Sequence, residues 1–350
     1  MLRNVLAGVL VASCAMAMVQ AQEQGAGRGG GRGGGGGGAA AAEFPTAQQF
    51  AESKDAQSHV ATAMKIGGTD LAAEAKAFCT PTGPQREALA RQAAGLPPIP
   101  DQAMGPIKLF DNLYYVGFND VGAWVVPTSA GIIMFDALNS TDDITTVVEP
   151  GLKKAGLDPA QIKMVLLGHG HNDHTGGGSY LQSKYGAKML MAAPDWEMVT
   201  RNTRADRPQP KRDGDVTDGQ KLTLGDTTVT VVQLPGHTPG TIGLIVPVKF
   251  QGRTHSVMIM SGSQMPTQES LNTFAHVFND LGKPQHVEAA LGSHPGILMN
   301  SLPLMEGIGN RYPTGTHPLL IGEERFNRYS AIMLECGRAR LAALGRLGTQ

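Results

Sequence analysis

The stretch LLGHGHNDHTGGG, residues 166–178, places three histidines and an aspartate within six positions. It overlaps the end of the apolar run IKMVLL at residues 162–167, which predicts a central strand buried on both faces. Glycines at residues 176–178 allow a close backbone approach at the start of the next helix. A loop leaving a buried strand is where α/β proteins place their chemistry. The stretch therefore predicts a functional site at a sheet edge.

The titratable side chains of this loop have the spacing of metal ligands. Residues 169 and 171 are two apart, so both imidazoles point the same way in an extended segment. A turn after them can then bring residues 173 and 174 back beside residues 169 and 171. Imidazole nitrogens with one carboxylate suit zinc, and the alternative is a solvated polar loop. The predicted ligands of this loop are His169, His171, Asp173 and His174.

Two more histidines follow predicted strands further along the chain. His237 lies in QLPGHTPGT after the strand at residues 228–234, and His294 lies in AALGSHPG after the strand at residues 287–291. Each of them alone is an ordinary loop histidine. Together with the first loop they give three successive strand ends that each carry a potential ligand.

The rest of the chain from Ile107 onward predicts an α/β fold. Short β-rich runs such as NLYYVGF, GAWVVPT and GIIMFDA come first, and helices and strands then interleave in both halves. A helix is predicted from Ser140 or Thr141, and the last helix carries Phe326, Tyr329, Met333 and Cys336 on one stripe. This order favours a sandwich of two sheets between helices over a single wound sheet.

The first third of the chain has a different composition. Residues 1–21 have the order of a signal peptide, and residues 22–43 are a glycine- and alanine-rich flexible linker. Residues 44–106 are predicted to form a helical arm on the domain at residues 107–350. The run before Cys14 also resembles a lipobox, which gives lipidation at Cys14 as the alternative. Both interpretations predict export to the periplasm, the second as a membrane-anchored lipoprotein.

Composition limits the partners. The 350 residues carry a net charge of -1 with 41% hydrophobic and 17% charged residues, as in soluble globular proteins. This charge gives no argument for nucleic acid or an anionic membrane as a partner. No membrane span is predicted, a small-molecule substrate is expected, and no oligomeric state is predicted.

The combined pattern resembles the metallo-β-lactamase superfamily. HGHNDH at residues 169–174, LPGHTPG and GSHPG carry the resemblance, which covers roughly Ile107 to the C-terminus. It implies an αββα four-layer sandwich with two zinc ions per chain. By the same resemblance, the first zinc ligands are His169, His171 and His237. The second zinc ligands are Asp173, His174 and His294.

The chain departs from the family pattern at two places, and the first indicates which branch of the superfamily it resembles. Many superfamily members carry an Asp or Cys ligand after the strand that here is SVMIMS, and this chain continues as Ser261, Gly262, Ser263 and Gln264. A second zinc site without that ligand is similar to subclass 3 of the class B metallo-β-lactamases. In that subclass this loop holds the substrate, which makes Ser261, Ser263 and Gln264 candidates. Gly168 stands where the family commonly has Ser or Thr.

The resemblance implies a zinc-dependent hydrolase in which a shared hydroxide attacks an amide or ester carbonyl and Asp173 orients it. β-Lactam hydrolysis is favoured, and hydrolysis of a lactone, ester or thioester is the alternative, as is zinc binding without catalysis. Asp136 is a candidate hydrogen-bond partner of a ligand histidine or a turn residue. The histidines outside ligand motifs are expected to be ordinary polar residues: His59, His255, His276, His286 and His317.

Two cysteines remain after the predicted signal peptide, Cys79 and Cys336. An oxidising periplasm permits a disulfide between the arm and the last helix. Two separate buried thiols are the alternative, because pairing cannot be deduced from the sequence.

Overall fold

The computed structural model describes residues 44–86, 90–92, 94–97, 100–201 and 207–348. The predicted signal peptide and linker lie outside these residues. Two β-sheets form the centre of the described chain, with seven and five strands respectively. No helix in these ranges is long and apolar enough to cross a membrane.

The first sheet has strands β1 to β7 in sequence order. Its first four strands pair antiparallel, and β4 to β7 pair parallel. The parallel part places the carboxyl ends of β4 and β5 at one edge. The strands are β1 (Ala103–Phe110), β2 (Leu113–Phe118), β3 (Gly122–Thr128), β4 (Gly131–Phe135), β5 (Ile162–Leu166), β6 (Lys188–Met191) and β7 (Gly214–Asp215).

The second sheet has the order β12, β11, β10, β9, β8. Its strands pair antiparallel except β11 and β12, which are parallel. The ends of β9, β11 and β12 therefore point to the same edge. The strands are β8 (Lys221–Leu224), β9 (Thr227–Gln233), β10 (Ile242–Phe250), β11 (Arg253–Met260) and β12 (Val287–Gly292).

Helices cover the outer face of each sheet. The described part of the arm contributes helices at Ala47–Glu52, Lys54–Gly67 and Ala72–Phe78, and π-helical turns at Ile144–Val148 and Val277–Gly282 join longer helical stretches. The α-helices are α1 (Ala47–Glu52), α2 (Lys54–Gly67), α3 (Ala72–Phe78), α4 (Thr141–Asp143), α5 (Glu149–Lys154), α6 (Asn172–Thr175), α7 (Gly178–Tyr185), α8 (Ala193–Arg201), α9 (Gln268–His276), α10 (Ser301–Asn310) and α11 (Glu323–Ala343).

Successive side chains of a strand point to opposite faces of its sheet, and this alternation separates three apolar layers. On β3, Trp124 faces the core between the two sheets, where it joins Val246 and Ile259 of the second sheet. Its neighbour Val125 faces the helices over the first sheet. On the far side, Met258 joins a cluster with α3, α9 and α11. The result is four layers, helix–sheet–sheet–helix, which confirms the predicted αββα sandwich.

Several details differ from the sequence prediction. β1 begins at Ala103, so the predicted boundary at residues 106 and 107 falls inside this strand. The helix predicted from Ser140 is present, and Ser140 accepts its capping hydrogen bond, but a π-helical turn interrupts it. β8 and the helices α9 and α10 were not predicted. Each is short, and β8 lies at a sheet edge where partial exposure weakens the apolar pattern.

The arm is tied to the last helix by a disulfide between Cys79 and Cys336, with 4.6 Å between their Cα atoms. This settles which of the two cysteine hypotheses holds. Asp70 adds an ion pair, because Arg328 donates to both of its carboxylate oxygens. The arm and α11 are therefore joined by both a covalent bond and an ion pair.

Candidate metal centre

The six predicted ligands come from three loops at one edge of the sandwich. His169 and His171 follow β5, and Asp173 and His174 lie on the first turn of helix α6. His237 follows β9 and His294 follows β12, both in the second sheet. The structure thus brings both sheets to one site. A main-chain bond joins the sheets there, since Ile242 N–H donates to the carbonyl of Gly168.

The first group of ligands converges through ring nitrogens. His171 Nδ1 lies 3.0 Å from His169 Nε2 and 3.0 Å from His237 Nε2. In a tetrahedral zinc site with Zn–N bonds of about 2.0–2.1 Å, neighbouring nitrogens are separated by roughly 3.4 Å. Both of these separations are therefore within a few tenths of an ångström of those in a zinc site, and the ligand atoms of all three imidazoles lie within 4.8 Å of one another.

The second group is built around Asp173. Its Oδ2 lies 3.7 Å from His174 Nε2 and 3.6 Å from His294 Nε2. His174 is fully buried, and its Nε2 has no hydrogen-bond partner among the described residues. A buried ring nitrogen that has no hydrogen-bond partner and lies 3.7 Å from a carboxylate oxygen can bind a cation together with that oxygen. The two groups adjoin, because the ligand atom of His169 also lies within 4.8 Å of those of Asp173 and His174.

The other ring nitrogen of three ligands is held by a fixed partner. His174 Nδ1 lies 2.8 Å from Asp136 Oδ2, and His294 Nδ1 donates to the carbonyl of Asp120 at 2.6 Å. His169 Nδ1 contacts Ser261 Oγ at 3.0 Å. These contacts leave the Nε2 lone pair of each ring for a metal and set the ring orientation. Asp136 has a positive φ of 71°, which forms the turn after β4. Its side chain orients His174.

Gly168 and Ser261 share one small space. A Cβ at residue 168 would lie 2.2 Å from Ser261 Oγ and 2.7 Å from Asp136 Oδ1. Gly168 N–H also donates to Asp136 Oδ1 at 2.6 Å. The absence of a side chain at residue 168 therefore makes room for the hydroxyl that contacts His169.

Burial and mutual proximity lower the pKa of most of the histidines. Burial and the neighbouring imidazoles lower the pKa of His237 to about 4, and burial, His174 and Arg86 lower that of His294 to about 4. Burial alone would raise the pKa of Asp173, but the imidazoles of His174 and His294 outweigh it and lower it below its usual range. Apart from His174, the site therefore presents neutral imidazoles, together with an ionised carboxylate, and these protonation states bind metal.

His174 differs from the other ligands in its pKa. Burial lowers it, but the carboxylates of Asp136 and Asp173 outweigh the burial and raise the pKa above its ordinary value. Asp136 is completely buried against the ring. This pair keeps a proton on Nδ1, so the ring presents Nε2 to the site.

Asp195, which links two ligand loops, was not predicted as a site residue. Its fully buried carboxylate accepts hydrogen bonds from Gly170 N–H at 2.7 Å, Gly240 N–H at 2.7 Å and Thr238 Oγ1 at 2.6 Å. The loop of His169 and His171 is thereby fixed to the loop of His237. An aspartate in the first turn of a helix is common on protein surfaces, so the sequence alone does not distinguish this role.

Arg86 of the arm was also missed. It lies outside any ligand motif, yet its guanidinium reaches Asp173 Oδ2 at 3.1 Å and pairs with the carboxylate of Asp120. Burial lowers the pKa of Arg86, but its bond to Asp120 outweighs the burial and raises it, so the group stays charged.

The predicted substrate loop divides into two parts. Ser261 is buried beneath His169, which places it under the ligands and not on a surface open to substrate. Ser263 and Gln264 are only partly buried, and Gln264 Oε1 lies 3.4 Å from His237 Nδ1. These two residues remain beside the site.

The remaining histidines have other partners. Four of them pair with carboxylates away from the site: His59 with Glu335, His255 with Glu288, His276 with Asp280, and His286 with Glu323. His317 is buried, stacks on Phe110 and bonds the carbonyl of Leu109. None of the five belongs to a group of potential ligands within the described ranges.

Comparison with known sequences agrees with this geometry. The family profile of the metallo-beta-lactamase superfamily matches residues 116–249. An atrochrysone carboxyl ACP thioesterase of Passalora fulva is 26% identical over 62% of this chain and 61% of its own length. A hydroxyacylglutathione hydrolase of Shewanella pealeana is 31% identical over 39% of this chain and 49% of its own length. The chain thus spans about half the length of these curated relatives.

Solved structures share the fold over more of their length. BJP-1, a subclass B3 metallo-beta-lactamase of Bradyrhizobium japonicum, has a TM-score of 0.53 and 25% identity, over 65% of this chain and 90% of that chain. The metallo-beta-lactamase FEZ-1 from Legionella gormanii has a TM-score of 0.55 and 21% identity, over 66% of this chain and 93% of that chain. Residues 116–249 thus match the metallo-β-lactamase superfamily in sequence, and the chain shares its fold with metallo-β-lactamases that include the subclass B3 enzyme BJP-1.

Proposed function

We propose that this protein is a dinuclear zinc hydrolase that opens β-lactams. The observation that carries the proposal is the pair of adjoining ligand groups that His169 connects. The residue that follows β11 is Ser261, whose hydroxyl contacts His169, so this strand end supplies no Asp or Cys ligand. The three-ligand second group that results is the feature similar to subclass 3 enzymes.

Zinc, when bound, lowers the pKa of water to about 7 and polarises a carbonyl group. The protein residues fix where this occurs. Asp173 stays ionised between His174 and His294, so its carboxylate can orient a water molecule and accept its proton. His237 and Gln264 are only partly buried, so a substrate carbonyl can approach the site from their side.

A second candidate function is thioester or ester hydrolysis. It is favoured by the curated relatives, one of which is named a thioesterase and another a hydroxyacylglutathione hydrolase. The same two metal groups serve this chemistry, since it also requires attack of activated water on a carbonyl. Substrate choice then lies with the residues around the site.

One assay separates the candidates. Purified zinc-loaded protein is tested with a penicillin, a cephalosporin, a carbapenem, a homoserine lactone and an acyl thioester under identical conditions. We expect kcat/KM for at least one β-lactam to exceed that for the lactone and the thioester. A lactone or thioester turned over well above every β-lactam would reverse this order.

The proposal includes export. The order of charge, apolar run and small residues in positions 1–21 supports it. The disulfide between Cys79 and Cys336 supports it independently, because disulfides persist in oxidising compartments. Mass spectrometry of protein made in a Gram-negative host is expected to find Gln22 as the first residue. A lipid on Cys14 would favour the lipoprotein alternative, and an intact Met1 on a cytoplasmic product would refute export.

A further inference from the structure

The guanidinium of Arg86 touches two acids at the edge of the second ligand group. Its Nη1 donates to Asp173 Oδ2 at 3.1 Å, the same oxygen that faces the imidazoles of His174 and His294. Its Nε donates to Asp120 Oδ1 at 3.0 Å, and its Nη2 donates to Asp120 Oδ2. A planar guanidinium fixes both acids because its donors have a rigid geometry.

Asp120 extends this contact to another ligand. Its main-chain carbonyl accepts the hydrogen bond from His294 Nδ1 at 2.6 Å. Arg86 therefore contacts one ligand of the second group directly and a second ligand through Asp120. His169, His171 and His237 have no contact with Arg86 in the hydrogen bonds of the described residues.

The charge of Arg86 is compensated within the same contact. A lone cation beside a metal site would oppose metal binding, but the paired carboxylate of Asp120 neutralises it at hydrogen-bond distance. The pair therefore adds little net charge to the site. What it contributes is the orientation of Asp173 and of the loop that holds His294.

The arm brings Arg86 to this position. Residue 86 follows seven positions after Cys79, which is bonded to Cys336 of α11. The side chain is mostly buried, with 24% of its surface exposed. The arm lies outside the ligand motifs. It thus places Arg86 beside the ligands, from a point that the disulfide at Cys79 holds against α11.

We propose that Arg86 is a positioning residue of the second metal site, supplied by the arm and acting through Asp173 and Asp120. This inference rests on the dinuclear site of the proposed function. Arg86 orients two of the three ligands of that site and none of the first.

Zinc titration of the metal-free protein against a chromophoric chelator tests it. Arg86→Ala with Asp120→Ala removes the pair without changing net charge, and leaves the carbonyl at residue 120 in place. The dissociation constant of the second ion is expected to rise about 10- to 100-fold, the range seen when partners of metal ligands are removed. That of the first ion is expected to change less than about twofold. Arg86→Lys keeps the charge without the planar fork, and is expected to recover part of the affinity.

A matched control distinguishes positioning from a loosened arm. Arg328→Ala with Asp70→Ala removes another bidentate Arg–Asp pair that joins the arm to α11, away from the ligands. It is expected to leave both zinc affinities unchanged. Cobalt substitution gives a second measurement, in which the absorption bands of the second ion change only in the Arg86 variants.

The outcomes separate the two proposals. Equal affinity for the second ion in wild type and in the Arg86/Asp120 double variant overturns the positioning role alone. Equal weakening in the Arg328/Asp70 control also overturns it, because the effect would then come from the arm in general. A wild-type protein that binds no second ion overturns the dinuclear site, and this inference with it.

Discussion

Gly168→Ala adds a single methyl group at a crowded point of the metal centre, between Ser261 and Asp136. The new Cβ would lie 2.2 Å from Ser261 Oγ, 2.4 Å from Ser261 Cβ and 2.7 Å from Asp136 Oδ1. Ordinary van der Waals contact begins near 3.4 Å, so each of these neighbours must move by roughly 1 Å. Both neighbours are buried and both bond a ligand histidine, so the displacement disturbs His169 and His174 as well.

The expected cost follows from overpacking. Extra methyl groups in a close-packed site destabilise by about 1–3 kcal/mol. At roughly 2 °C per kcal/mol for a large domain, the melting temperature should fall by about 2–6 °C. Thermal unfolding of the metal-free, disulfide-intact protein measures this directly. Gly296→Ala is the matched control, because its Cβ meets no atom within 4 Å and its loop also borders the site; it should change stability by less than about 0.5 kcal/mol.

A compensating change tests the cause. Ser261→Gly removes the two closest atoms and leaves the longer contact with Asp136 Oδ1. In a double-mutant cycle, Gly168→Ala and Ser261→Gly should therefore show a favourable coupling of about 1–2 kcal/mol. If Gly168→Ala melts like Gly296→Ala, or if the coupling is zero, the argument from shared space is refuted.

Three further predictions follow from the site. His294→Ala should leave about one tightly bound zinc per chain with a native circular dichroism spectrum, because it removes a ligand of the second group only; two retained zinc ions with unchanged turnover would exclude His294 as a ligand. Asp195→Ala should destabilise the protein by about 3 kcal/mol or more in urea unfolding, since three buried donors lose their acceptor; a loss below 1 kcal/mol would contradict this. The metal-free protein should lose stability as pH falls from about 6.5 to about 4, because the unfolded chain binds protons that His237 and His294, with pKa values of about 4, do not bind when folded; the raised pKa of His174 changes stability above pH 6.5 and not in this window, so urea midpoints independent of pH between about 6.5 and 4 would contradict the prediction.

The convergence of the six candidate ligands could be predicted from the sequence because each lies in a short motif next to its own strand. HGHNDH follows β5 directly, and the residues around His237 and His294 repeat the same local arrangement of strand, glycine and histidine. Strand ends at one edge of a sandwich meet in space, so local motifs were enough to assemble the site.

The residues that hold the ligands could not be predicted in the same way. Asp195 lies 25 positions from Gly170 and 45 from Gly240, and Asp120 lies 174 positions from His294. Their roles arise from tertiary contacts, and an isolated aspartate carries no local pattern that marks it. Edge strand β8 escaped prediction for a related reason, because its alternate burial depends on a neighbouring strand.

The space that Gly168 leaves for Ser261 bears on metal binding. The two positions compete for one space beside His169, so a hydroxyl can be supplied from residue 261 only where residue 168 is glycine. A hydroxyl at residue 261 serves as a partner of His169, and in the proposed dinuclear site the second ion is then left with three protein ligands. With fewer ligands, the affinity for that ion depends more on how well each is oriented. The buried Asp136 beside His174 and the Arg86–Asp120 pair beside Asp173 and His294 give that orientation, so all three ligands of the second group are held by partners of their own.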